Sequence, residues 1–297
     1  MNRREMLRQT GLMGTGLVLG GVMGACATTP GMSQSPNIDV DVLNFALNLE
    51  YLEAAFYLAA VGRINEIATI GGNAEIRLPT GFNGTSPIPG LSPDVLEYAQ
   101  EIAEDELAHV KFIRQALGSA AVARPVIDLD QAFRAAGNAA SGGAITNFNP
   151  FANELFFIHG AFIFEDVGVS AYKGAAKLIT DKNTVLDSAA GILAVEAYHA
   201  GLIRLLLHDR KDEPVTPTLT VKDVVQAISN LRGSAGGGKD EGIVKNNRAN
   251  LVLADNDGIA FGRTTSEVLK IVYLTGEANR TMGGFFPNGL NGNIKRT

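Results

Sequence analysis

The chain has 297 residues, 46% of them hydrophobic, with 31 acidic against 25 basic side chains and a formal charge of −6. The acidic balance argues against nucleic acid as a partner, and the apolar fraction argues for a packed core. The single cysteine excludes an intrachain disulfide and any metal site built from several thiolates.

Residues 1–27 read as an export signal rather than as part of the fold. Arg3-Arg4 is followed by Met6-Leu7 and a weakly apolar, glycine-rich stretch, a pattern that resembles a twin-arginine (Tat) signal. Met23-Gly24-Ala25-Cys26 resembles a lipobox, which would make Cys26 the lipidated first residue of a membrane-tethered chain. Ordinary signal-peptidase cleavage after Ala25-Cys26-Ala27 is the alternative. Either way the expected location is outside the cytoplasm, as a periplasmic protein or a membrane-anchored lipoprotein. Residues 28–37 are a polar tether. About 270 residues then remain, enough for one substantial core and an appendage.

From residue 38 onward the pattern is all-α. Leu43, Leu47, Glu50, Ala54 and Tyr57 recur at three- and four-residue steps and predict a first helix over 39–61, with Asp39 or Asp41 as its cap. A long Gly-, Pro- and Asn-rich connection comes next, with room for a hairpin. Ser92, Pro93 and Asp94 open a second helix over 93–118 as cap, first helical residue and dipole partner. Its apolar stripe includes Ala99, Ala103, Glu106, His109 and Ile113. After a crossover over 119–148, Asn149-Pro150 predicts the start of a third helix running to 179. Its stripe contains Leu155, Ile158, Phe162, Glu165, Val169 and Tyr172. A short turn leads to a fourth helix over 183–209, with Leu186, Ala189, Leu193, Glu196, His199 and Ile203 in register. Residues 38–212 thus form a four-helix unit, and 213–297 an extension. There, Thr220–Leu231 reads as an amphipathic helix and 233–239 as a flexible glycine loop without P-loop spacing. Thr264–Thr275 reads as a helix opened by a capping box, and Phe285-Phe286 as an aromatic pair that docks on the bundle or on a partner subunit.

The ionisable groups repeat. Glu50 has a tyrosine seven residues on, Tyr57, and is followed by Glu106-x-x-His109. Glu165 likewise has Tyr172 and is followed by Glu196-x-x-His199. All six fall mid-helix on faces that should be core, where an unpaired charge is costly. Glu, Glu-x-x-His twice over is the donor set of a dinuclear site inside a four-helix bundle. Glu53 competes with Glu50 for the first position, and the match to Glu165–Tyr172 favours Glu50. His159 reads as a packing or hydrogen-bonding residue and His208 as a helix-end residue.

These motifs resemble those of the ferritin-like superfamily, the rubrerythrins, ferritins and related di-iron carboxylate proteins. The runs LNFALNLEYLEAAFY and EDELAHVKFIRQAL, with the tail segment GRTTSEVLKIVY, more narrowly resemble bacterial ferritin-like-domain proteins grouped with plant desiccation-related proteins. The resemblance implies a ferritin-like four-helix bundle with a long second-to-third-helix crossover and a mixed helical and irregular extension. It implies that Glu50, Glu106, His109, Glu165, Glu196 and His199 are metal ligands, with Glu106 and Glu196 bridging. Tyr57 and Tyr172 would hydrogen-bond carboxylates and tune the site. The rubredoxin-type Cys-x-x-Cys module is absent, so the electron donor must come from elsewhere.

Carboxylates and imidazoles suit two iron or manganese ions. The expected activity is redox chemistry with a small oxidant, peroxide or dioxygen, or the oxidation of Fe(II), in stress protection. The rival expectation is a non-catalytic, desiccation- or stress-related structural protein of the envelope. An iron-storage cage fits least, because a lipid-tethered chain with a large extension packs poorly into a closed shell, although a smaller homo-oligomer does not conflict with the sequence.

Overall fold

The computed structural model describes residues 38–297. The expected signal, the tether and Cys26 lie outside the described residues. Four long helices form the centre: α1 (Ile38–Ala60), α2 (Pro93–Leu117), α4 (Glu154–Ala175) and α5 (Val185–Asp209). A shorter helix, α3 (Gln131–Ala140), lies in the crossover between α2 and α4, and α6 (Val221–Ala235) and α7 (Thr265–Val272) lie in the extension.

The packing directions are fixed by contacts between helix ends. α1 lies along α2, and α4 along α5. Asp39, at the start of α1, accepts hydrogen bonds from the Thr180 and Asp181 amides just beyond α4, at 2.6 and 2.8 Å, so α1 and α4 run antiparallel. Glu154, at the start of α4, accepts from the Ser92 amide at the start of α2 at 2.6 Å, so α2 and α4 run parallel. Two parallel helices that are consecutive in the bundle need a connection as long as the bundle, which is why the 118–153 crossover exists.

The caps depart from expectation at two of the helices. Ser92 and Pro93 open α2 as read from the sequence, with Ser92 Oγ accepting from the Val95 amide at 3.4 Å. α4 starts four residues later than expected. Asn153, not Asn149, is its cap and accepts from the Phe156 amide at 2.9 Å. The Asn149 side chain is used on the Phe151 amide, closing a separate turn around Pro150. Asp39 falls inside α1 rather than before it, and its carboxylate pins the 180–181 turn.

The connection after α1 holds no hairpin. It contains a short 3₁₀ turn (Ile64–Glu66) and a two-residue strand, β1 (Ile76–Arg77), whose partner is β2 (Ile127–Asp128) in the crossover, in parallel register Ile76↔Ile127. The antiparallel pair β3 (Val244–Lys245) and β4 (Arg248–Ala249) lies in the extension.

The extension packs inward. Phe285 is fully buried, its ring 5.0 Å from that of Phe133 and 4.9 Å from that of Phe164. The aromatic pair therefore docks within its own chain. The 233–239 segment is not a free loop: α6 continues to Ala235, Gly236 is buried, and Lys239 Nζ pairs with Glu267 at 2.8 Å. Thr264 and Glu267 form the expected capping box of α7.

Candidate metal centre

Glu50 comes from α1, Glu106 and His109 from α2, Glu165 from α4, and Glu196 and His199 from α5. Glu and His three residues apart project from the same side of a helix, so each Glu-x-x-His pair enters the interior together. All six residues are buried and all six meet at mid-bundle.

Their reactive atoms form two groups, each with its atoms within 4.8 Å of one another. One holds Glu50, Glu106, His109 and Glu196; the other holds Glu106, Glu165 and His199. His109 Nδ1 lies 3.2 Å from Glu50 Oε2, 3.6 Å from Glu106 Oε2 and 3.7 Å from Glu196 Oε1. His199 Nδ1 lies 3.0 Å from Glu106 Oε1 and 3.7 Å from Glu165 Oε2. Glu106 is the carboxylate shared by the two groups. Glu196, also expected to bridge, falls only in the group containing His109. The imidazole rings face the same interior, 6.5 Å apart.

The tyrosines brace this arrangement crosswise. Tyr57 of α1 donates to Glu165 of α4, and Tyr172 of α4 donates to Glu50 of α1. Antiparallel packing makes the exchange reciprocal, because each Glu sits opposite the other helix's tyrosine. Asp105 was not singled out from the sequence. Its Oδ2 lies 3.2 Å from Nε2 of His199, an arrangement that holds the ring with Nδ1 toward the centre. The signal that could have found it is its position immediately before Glu106, which sends it to the flank of α2 nearest α5. Glu53 is buried as well but stands outside both groups. It approaches Glu196 across Gly168, where a β-carbon would overlap Glu196 and come within 3.3 Å of Glu53 Oε1.

The electrostatics are those of a site short of positive charge. Burial, followed by repulsion among the carboxylates, raises Glu53 and Glu196 far above the ordinary range. Burial raises Glu165 to about 8, although His199 opposes the rise. Glu106 goes the other way: the closeness of the two imidazoles outweighs its burial and holds it at about 2. Burial alone would depress the histidines, but the carboxylates carry His109 to about 11 and His199 to about 9. Two imidazolium groups cannot balance five buried carboxyls.

These residues fit a metal. Glu50 Oε2, both oxygens of Glu106, His109 Nδ1, Glu165 Oε2, both oxygens of Glu196 and His199 Nδ1 are buried and lack a hydrogen-bond partner. Buried polar atoms are rarely left unsatisfied, and here they converge from four helices. Oxygen and imidazole donors in this number could hold metal ions of the iron or manganese type.

Fold and site together define a helical-bundle protein with a paired carboxylate–histidine centre. The chain belongs to the ferritin-like domain family, which matches residues 38–209. It is 30% identical over 276 residues to the ferritin-like catalase Nec2 of Nesocodon mauritianus, an alignment covering 87% of this chain and 85% of the relative. It is 32% identical over 253 residues to the desiccation-related protein PCC13-62 of Craterostigma plantagineum, covering 79% of this chain and 77% of the relative. No solved structure matches.

Proposed function

We propose that Glu50, Glu106, His109, Glu165, Glu196 and His199 hold two iron or manganese ions, and that the protein consumes hydrogen peroxide at the cell envelope as part of stress protection. What carries this reading is the convergence of orphaned donor atoms at one buried point. The similarity to a protein named as a catalase favours peroxide over dioxygen or Fe(II) as substrate. Disproportionation also needs no separate electron donor, because one peroxide is reduced as another is oxidised. The expected export signal and Cys26 are what favour an envelope location, which cell fractionation against a Cys26→Ala chain checks.

Bound there, the ions would supply two-electron redox chemistry. The chain's own residues do the rest. Tyr57 and Tyr172 donate to the carboxylates of Glu165 and Glu50 and fix their orientation. Asp105 accepts from Nε2–H of His199 and leaves Nδ1 free as a donor atom. Aromatic side chains, with Phe56 stacked on Phe157 at 5.5 Å, keep bulk water from the interior. Glu53 lies beside the centre, where burial disfavours its charged form.

The test is oxygen evolution from hydrogen peroxide by the metal-loaded protein, set beside the Glu106→Ala/Glu196→Ala double variant. Sustained evolution lost in the variant is the expected result. Metal-loaded protein that releases no oxygen would contradict the catalase reading. The similarity to a desiccation-related protein favours a second reading, a non-catalytic protective protein. It predicts that the wild type and the folded double variant protect a labile enzyme equally during drying.

A further inference from the structure

A cleft separate from the metal centre lies between α3, α6 and α7. It has a volume of about 300 Å³, within the size range of small-molecule sites. Its walls are apolar, with Ala136, Phe148, Ile228 and Leu231 among them, and it opens at the surface where Ala139 and Ser234 are exposed. Among the described residues no carboxylate lines it. Two cationic donors do. Lys270 is half-buried at the cleft, and its ammonium has no partner among the described residues. Arg232 is only 3% exposed; its terminal nitrogens bond to Asp166, Asp240 and the Phe162 carbonyl, but its Nε–H is buried with no acceptor. An apolar cavity with unmet positive donors is matched by a molecule that is apolar along its length and anionic at one end.

We propose that this cleft binds an amphipathic organic anion, a medium-chain carboxylate, with its head group on Lys270 and its hydrocarbon tail against Ile163 and Ile271. Water fills such a space poorly, because apolar walls offer it no partners. A hydrocarbon tail loses nothing there and gains burial. The tail's position brings it close to the centre. Ile163 and Ile271 also wall a smaller pocket, whose other sides include Glu53 and Gly168. Those two side chains therefore stand between the cleft and a pocket that reaches Glu53. The proposal stands on the cleft's own residues and does not depend on the metal reading.

The experiment is isothermal titration of the purified protein with sodium decanoate, compared with decyl alcohol. Lys270→Glu reverses the charge at the cleft, and Ala227→Trp fills it. Ala139→Trp, at the exposed rim, replaces Ala227→Trp if that variant does not fold, as judged by circular dichroism. The expected result is saturable binding of decanoate at one site per chain, weakened about tenfold or more by Lys270→Glu and abolished by the tryptophan. Decyl alcohol should bind more weakly than decanoate and be insensitive to Lys270→Glu. Absence of saturable binding would overturn the proposal, as would binding unchanged by both variants. A dimer that the tryptophan dissociates, with no decanoate bound to the wild type, would show that a second copy covers the cleft instead.

Discussion

At the residue scale the centre depends on side chains that need not touch a metal. The sequence spacing Glu-x₆-Tyr was legible as a repeat, but it places each tyrosine two turns from its own helix's glutamate. The bonds cross instead, Tyr172 to Glu50 and Tyr57 to Glu165, a relation that exists only once α1 and α4 pack antiparallel. Tyr172→Phe should leave the fold intact and weaken manganese binding by about 10-fold or more, read from a binding isotherm. His159 was legible as a packing residue: it is fully buried, with Nδ1 donating to the Leu155 carbonyl at 2.7 Å. Burial lowers its pKa from 6.5 to about 4. The unfolded chain therefore takes up this proton at a higher pH than the folded one. The stability that His159 contributes is complete above pH 6.5 and is lost as the pH falls toward 4, by about 3 kcal/mol. Denaturant titration of metal-free protein at about pH 7 and about pH 4.5 should show a smaller acid loss in His159→Phe than in wild type.

At the element scale the four long helices were legible because each carries an apolar stripe broken only by the ionisable groups. Their edges were less so. Asn149-Pro150 has the sequence of a helix start, but the Asn149 side chain closes a turn on Phe151, and Asn153 takes the cap. α3 was missed because QAFRAAGNAA offers a narrow apolar face, with Ala132, Phe133 and Ala136 as its buried residues. The β1–β2 contact is a pairing of two residues each across distant segments, too short to leave a periodic signal. α1 is buried on nearly every face, so its stripe understated its burial; the crossover and extension cover the side that a bare bundle would expose. Helix-to-extension contact is tight at Gly174, where a β-carbon would overlap the Arg263 carbonyl. Gly174→Ala should cost about 1–3 kcal/mol through forced separation, measured as a shift of the denaturation midpoint.

At the scale of the whole molecule, the extension is held to the bundle by a buried ionic network. Asp166 Oδ2 on α4 accepts from Arg204 at 2.9 Å and from Arg232 at 2.8 Å, and Asp240 joins Arg232 and Arg263 at 2.7 and 2.8 Å. Arg204 also donates to the Gly242 and Asn250 carbonyls of the extension, each at 2.7 Å. Such a network has no sequence period, and Asp166 sits inconspicuously beside Glu165. Asp166→Asn leaves two buried guanidinium groups undercompensated and should destabilise the fold by about 3–5 kcal/mol, read by chemical denaturation. The central claim is that the six buried ligands hold a metal pair. Its most direct test is elemental analysis of protein reconstituted with iron or manganese, beside the Glu106→Ala/Glu196→Ala variant. About two ions per chain, lost in a variant that keeps its helical content, is the predicted result. Wild-type protein that folds yet retains no metal after reconstitution would contradict it.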